Sequence, residues 1–193
     1  MMQSKNTDLD RHDFQPKKFI MWLFIVSSII LFAGLTSGFI VYTGQGPGRT
    51  LNVPLPKMFL YSSAVIIISS ITMHWAYLSS RKLQFGNQRL GLWLTLVLGL
   101  VFIGMELYGW YVWTNLGVFF INSNASISFV YAFTFLHIIH ILAGLVMIIA
   151  ALVSSYQKLP NVINRFRMDI TSIFWHFVDI LWIYLYVFLL LNQ

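Results

Sequence analysis

The sequence predicts an all-α integral membrane bundle of five transmembrane helices, with the N-terminus in the cytoplasm and the C-terminus, Asn192-Gln193, on the periplasmic side. Three observations carry this. Hydrophobic residues make up 58% of the 193 positions and charged ones only 9%, against about a quarter charged in a soluble domain. The apolar residues gather in five stretches, 18–44, 57–80, 90–114, 126–156 and 170–191. Each is long enough for the roughly 20-residue helix that crosses a hydrocarbon core. The twelve Lys and Arg are divided unevenly between alternate loops: ten lie on the N-terminal arm and the even-numbered loops, and only Arg49 and Lys57 lie on the other side. The positive-inside rule puts the ten in the cytoplasm, and an odd number of spans places the two ends on opposite sides.

The elements follow in order. Residues 1–17 are polar and mixed in charge and form a short arm; residues 18–193 form the membrane domain. The first stretch is too long for a signal-peptide core and is expected to stay in the mature chain. It carries Ser27, Gly34 and Gly38 on one helical face, a small-residue pattern that suits close helix packing in lipid. The second stretch carries Ser62, Ser63, Ser69, Ser70 and Thr72, whose hydroxyls can bond within the helix or across to a neighbour. The third has Gly91, Gly99 and Gly104, and the fourth Ala143 and Gly144, again as packing positions. The five prolines, at 16, 47, 54, 56 and 160, fall outside the spans or at their edges, so the helices are expected to run unbroken. Trp22, Trp75, Trp110, Tyr111 and Trp113 fall near span ends, where interfacial aromatic belts form.

Composition also excludes functions. The net charge of +6 belongs to the loops, so it marks topology and not a nucleic-acid surface. There is no cysteine, which rules out disulfides and thiolate metal sites. No internal repeat of the kind common in small transporters is visible.

The informative residues are the ionisable ones inside apolar helices, since each costs about 2.5–3.5 kcal/mol near the bilayer centre. Glu106 lies in the outer part of the third helix; it reads either as a proton-carrying carboxylate or as a structural hydrogen bond to a neighbouring subunit. His137 and His140, three apart, share a face of the fourth helix. With His74 and His176 they can be imagined as haem or metal ligands, or as interhelical hydrogen bonds that fix the bundle. His176 and Asp179 share a face of the last helix and read either as an internal lock or as a proton relay.

The run Phe174-Trp175-His176-Phe177-Val178-Asp179-Ile180-Leu181-Trp182 resembles the YWHFVDVVW signature of haem–copper oxidase subunit III. Thr134 to Gly144 resembles that family's TGFHGLHVIIG segment, with His137, His140 and Gly144 in register. Asn87 to Trp110, Leu60 to Ala76 with its Ser69-Ser70 and His74-Trp75-Ala76, and Met21 to Tyr42 with Phe32-Ala33-Gly34-Leu35 resemble its other helices in order.

The resemblance implies a cofactor-free accessory subunit of a proton-pumping terminal oxidase in the bacterial cytoplasmic membrane, noncatalytic in itself. Haem and copper would sit in partner subunits. Its main partner would be catalytic subunit I, with subunit II, small subunits, membrane lipids and a respiratory supercomplex as further partners. Electrons would come from cytochrome c, or from quinol in the other branch; a nitric-oxide-reductase-type complex is a third setting. A self-contained membrane haem protein and a proton-coupled transporter are the alternatives of another class. The family holds phospholipid in a cleft, one wall of which is made by two helices that this five-helix form lacks. The family's carboxylate in its ASE segment falls at Ser28, and its Gln-then-Glu pair in the third helix falls at Glu106 and Gly109. Asp169 aligns with a family Glu ahead of the signature.

Overall fold

A computed structural model describes residues 2–46, 49, 51, 57–121, 124–157 and 161–192, with side chains from Gln15 onward. Its described residues form five α-helices: α1 Met2–Thr43, α2 Lys57–Arg81, α3 Phe85–Asn115, α4 Ala125–Tyr156 and α5 Asn161–Leu191. All five are long and apolar enough to cross a membrane. The backbone of the polar arm is helical and continuous with the first span. Both α3 and α5 start earlier than their apolar stretches, because the opening turns of each helix are polar. Pro16 lies inside α1 at the edge of the span Gln15–Thr43; Pro47, Pro54, Pro56 and Pro160 lie outside the described residues.

The centre of the bundle is the pair α4 and α5. α5 also touches α2 and α1, α4 also touches α3 and α1, and α2 packs most extensively on α3; α1 contacts α4 and α5 but not α2 or α3. The α2–α3 turn is a Schellman motif. Gln84 N–H donates to the Ser79 carbonyl at 3.0 Å, Leu83 N–H donates to Ser80 at 3.1 Å, and Leu83 takes the left-handed conformation at φ 57°. α3 ends in the same way at Gly117, φ 77°, with Val118 N–H on Trp113 and Gly117 N–H on Thr114. Asn124 caps α4 by accepting from Ser126 N–H at 3.1 Å.

The basic end of the bundle is tied by side chains. Arg89 of α3 donates to the hydroxyl and carbonyl of Ser155 and stacks 4.3 Å over the ring of Tyr156, so a cation meets the last carbonyls of α4. The buried amides of Gln88 and Asn164 donate to each other at 3.2 and 3.1 Å. This reciprocal pair satisfies two amides at once and holds α3 to α5.

The glycines divide sharply. At Gly91 an added Cβ would lie 2.8 Å from the Cβ of Ala76, and at Gly109 2.9 Å from the ring of Phe59. α2 and α3 therefore approach as closely as these glycines allow. Gly99 and Gly144 face opposite sides of one ring, Trp175, with added Cβ atoms 2.9 Å from it in each case. Gly34 and Gly104 meet nothing within 4 Å, and Gly38 meets only an ordinary contact with Phe129. Of the expected packing face of α1, Ser27 and Gly34 are thus directed away from its own bundle, while Gly38 meets α4. Gly34→Ala is expected to leave the thermal midpoint in detergent unchanged or slightly raised, since alanine is the better helix former by roughly 1 kcal/mol. Gly91→Ala is expected to lower it, because the added methyl meets the α2 backbone and overpacking costs about 1–3 kcal/mol.

The aromatic belt is also divided. Trp22, Trp75 and Tyr111 are exposed as expected, but Trp113 is 1% exposed and packs on Phe59 and Tyr131. Trp110 donates to Thr134 Oγ1 at 3.0 Å.

Candidate functional site

The antiparallel seam between α2 and α5 is held by two indole–hydroxyl bonds. Ser69 accepts from Trp175 Nε1 at 3.1 Å, and Ser63 accepts from Trp182 Nε1 at 3.0 Å. Trp175 and Trp182 are seven residues apart, two turns, and fall on one line of α5, while Ser69 and Ser63, six apart, meet them from α2. The adjacent Ser70 and Ser62 each meet an ionisable group.

Ser62 Oγ donates to Glu106 Oε1 at 2.7 Å. Glu106 is fully buried, and its Oε2 has no hydrogen-bond partner. This partner is a hydroxyl on α2 of the same chain. His137 is also fully buried, between the rings of Trp182 at 4.9 Å and Phe102 at 5.7 Å, with neither ring nitrogen hydrogen-bonded.

His140 turns the other way from the shared face. Its Nδ1 lies 2.7 Å from the Leu136 carbonyl, and its Nε2 lies 3.1 Å from Ser28 Oγ on α1. A carbonyl only accepts, so Nδ1 carries hydrogen, and Nε2 of the neutral ring accepts from Ser28. Ser28 also lies 2.8 Å from the Phe24 carbonyl, and its single hydrogen serves one of the two at a time. A carboxylate at position 28 has no hydrogen to give and would demand a second one from His140. The hydroxyl keeps the α1–α4 link without that charge.

His176 and Asp179 lie on the side of α5 that faces Ser70. His176 Nδ1 is 2.7 Å from Ser70 Oγ, while its Nε2 is buried and unpartnered. The ring of His74, which is exposed, is 6.0 Å away. Asp179 is 5% exposed. Neither of its oxygens makes a hydrogen bond of good geometry, and Ser70 is the hydroxyl that bears on it. Among the described residues Asp179 makes no hydrogen bond to His137 or His140 of α4. Towards the basic end, Tyr77 OH donates to Asp169 Oδ1 at 3.5 Å, and Lys18 holds Asp169 Oδ2 at 2.8 Å. The structure thus separates the predicted residues into three places: Glu106 and His137 in the core, His140 with Ser28 at α1, and His74, His176 and Asp179 along the α2–α5 seam. Among the described residues no three His, Asp or Glu side chains gather as metal ligands do.

Residues 14–192 match the family model described as cytochrome c oxidase subunit III. The chain belongs to the haem–copper oxidase subunit III family. It is 27% identical over 170 residues to cytochrome c oxidase subunit 3 of Bacillus subtilis, covering 86% of this chain and 81% of that protein. It is 31% identical over 168 residues to cytochrome bo(3) ubiquinol oxidase subunit 3 of Pseudomonas aeruginosa, covering 86% of this chain and 79% of that one. With the same-named subunit of Buchnera aphidicola from Acyrthosiphon pisum it shares 29% identity over 202 residues, covering the whole of this chain and 94% of that one. The resemblance read from the signature on α5 is borne out, as is the five-helix architecture. A subunit III is one component of a multi-subunit oxidase, and this one is built as a multi-pass membrane protein.

The contacts that sequence reading missed are Trp175 between Gly99 and Gly144, and the Gln88–Asn164 pair. The signal for the first was present in the two glycines, and for the second in two amides flanking adjacent spans.

Proposed function

We propose that this subunit III is the noncatalytic, cofactor-free accessory subunit of a proton-pumping haem–copper terminal oxidase in a bacterial cytoplasmic membrane. It packs on catalytic subunit I, supports its stability and proton uptake, and leaves haem and copper to its partners; O2 is reduced to water elsewhere in the complex. The observation that carries the reading is how the histidines are committed. His140 is spent on Leu136 and Ser28, and His137 is walled in by Trp182 and Phe102. Neither is presented to a cofactor. The exposed glycine face of α1 offers a partner helix a surface for close approach.

Cytochrome c is the proposed electron donor, with quinol as the second reading. The second is favoured by the 31% identity to a ubiquinol oxidase subunit. Affinity purification of the tagged chain from its own membranes tests the proposal. The expected result is copurification of a haem–copper subunit I; a copper-binding domain on the copurifying subunit II assigns cytochrome c, and its absence assigns quinol. A chain isolated without any haem–copper partner, or with stoichiometric haem of its own, would overturn it.

A further inference from the structure

The α2–α5 seam carries a file of proton-exchanging groups that runs from the basic end of the bundle into the membrane. At its mouth is a cavity of about 330 Å³ lined by Tyr77, Ser80, Arg81, Arg165, Phe166 and Asp169. Asp169 is shared between Lys18 and Tyr77 there. One turn deeper on α2, the ring of His74 is 6.4 Å from that of Tyr77 and 6.0 Å from that of His176. His176 is bonded through Nδ1 to Ser70 at 2.7 Å, and Ser70 bears on Asp179. From Asp169 to Asp179 is ten residues of α5, a climb of about 15 Å. That is half of a hydrocarbon core of roughly 30 Å. Each member is a side chain that both gives and takes protons.

Two groups of the file are buried without a hydrogen-bond partner. His176 Nε2 is buried without a partner and belongs to the ring that faces His74. Asp179, nearly sealed, has no hydrogen bond of good geometry on either oxygen. A purely structural pair would be expected to satisfy both. The contrast is Glu106, whose one hydroxyl partner, Ser62, is itself fully buried.

We propose that Asp179 is a proton-exchanging site within this chain, reached from the basic end through Tyr77, His74, His176 and Ser70. A proton arriving at His176 Nε2 from the His74 side makes the ring briefly doubly protonated. The ring then gives its Nδ1 hydrogen to Ser70 Oγ while the Ser70 hydrogen passes to an Asp179 oxygen. One proton enters, one reaches Asp179, and His176 is left neutral with hydrogen on Nε2; the reverse sequence resets it. The groups facing the path are Lys18 from α1, His74, Tyr77 and Arg81 from α2, and Arg165 and Asp169 from α5. Of the cations at the mouth, Lys18 holds Asp169.

The test is time-resolved infrared difference spectroscopy after a pH jump, on the chain in its own membranes. The Asp179 band is identified by its loss in Asp179→Asn, and the Glu106 band by its loss in Glu106→Gln. The expected result is that Asp179 responds at least about tenfold faster than Glu106, which waits on local opening of the bundle. His176→Phe and Ser70→Ala are each expected to slow the Asp179 response by about tenfold and leave that of Glu106 unchanged. Because Glu106 reports on the same bundle, general loosening by either variant would show itself there. Equal rates for the two carboxyl groups, or an Asp179 response indifferent to both variants, would overturn the proposal. The measurement needs no oxidase activity, so its outcome is separate from whether a haem–copper partner copurifies.

Discussion

Trp175→Ala is expected to be the most damaging single truncation in the chain. The indole is fully buried, its Nε1 is bonded to Ser69, and its ring is held between Gly99 of α3 and Gly144 of α4. It therefore joins four helices at one level. Truncating a buried tryptophan costs about 3–5 kcal/mol in soluble cores. In lipid the transfer part shrinks, because the surroundings are as apolar as the core. The lost dispersion and the orphaned Ser69 remain, since two glycines cannot fill the space. A loss of about 3 kcal/mol is expected, read as the shift in midpoint of detergent-induced unfolding followed by tryptophan fluorescence. Trp175→Phe keeps most of the ring and loses only the hydrogen bond, so it should recover more than half of the difference. A Trp175→Ala protein that unfolds with wild-type resistance would show that the ring is not the keystone.

The Ser62–Glu106 pair gives the second large effect, and its sign depends on how many partners are removed. Ser62→Ala deletes the hydrogen bond to Oε1 in a carboxyl whose Oε2 already has none. The expected cost is about 1–3 kcal/mol, the penalty for an unsatisfied buried polar group. Adding Glu106→Leu to Ser62→Ala removes the polar group along with its partner, at similar volume. The double variant should recover wild-type stability or exceed it, as apolar replacement of buried polar pairs commonly does. A double-mutant cycle on the same unfolding assay reads the coupling. A double variant less stable than either single one would mean that Glu106 has another partner in the assembled protein. If the double variant is stable but the oxidase turns over poorly, the carboxyl is kept for proton chemistry.

The sequence made the number, order and identity of the spans legible, and it left their facing obscure for a physical reason. In water, the apolar side of a helix points inward. In lipid both sides are apolar, so periodicity cannot say which face of α1 meets α4: of the glycine pair at 34 and 38 only Gly38 touches it, at Phe129, and Phe32 and Phe39 make the larger contacts. Charged and hydroxyl residues are better guides, because lipid satisfies none of their hydrogen bonds. The serines of α2 were legible as bonding groups on that ground, and four of them do bond to α3 or α5. Which partner each takes depends on the register between helices more than 40 residues apart in sequence, and a single chain carries no mark of that register. Asp179 shows the limit most plainly. Its type and depth were readable, but which side chain of another helix comes to it was not.

The isolation of α1 from α2 has a consequence for biosynthesis. The tethers of α1 include Tyr42–Ala125, Ser28–His140, Thr36–Tyr184 and Lys18–Asp169, whose partners follow 83, 112, 148 and 151 residues later. At about 5–20 residues per second, the ribosome needs roughly 4–30 seconds to deliver them. The α2–α3 hairpin can close as soon as its turn is made, but the first helix to enter the bilayer spends that interval without a protein neighbour from its own chain. Its bundle-facing aromatic side and its outward Gly34 are open to other proteins during that time, so α1 is the helix most in need of a chaperone or an early subunit contact.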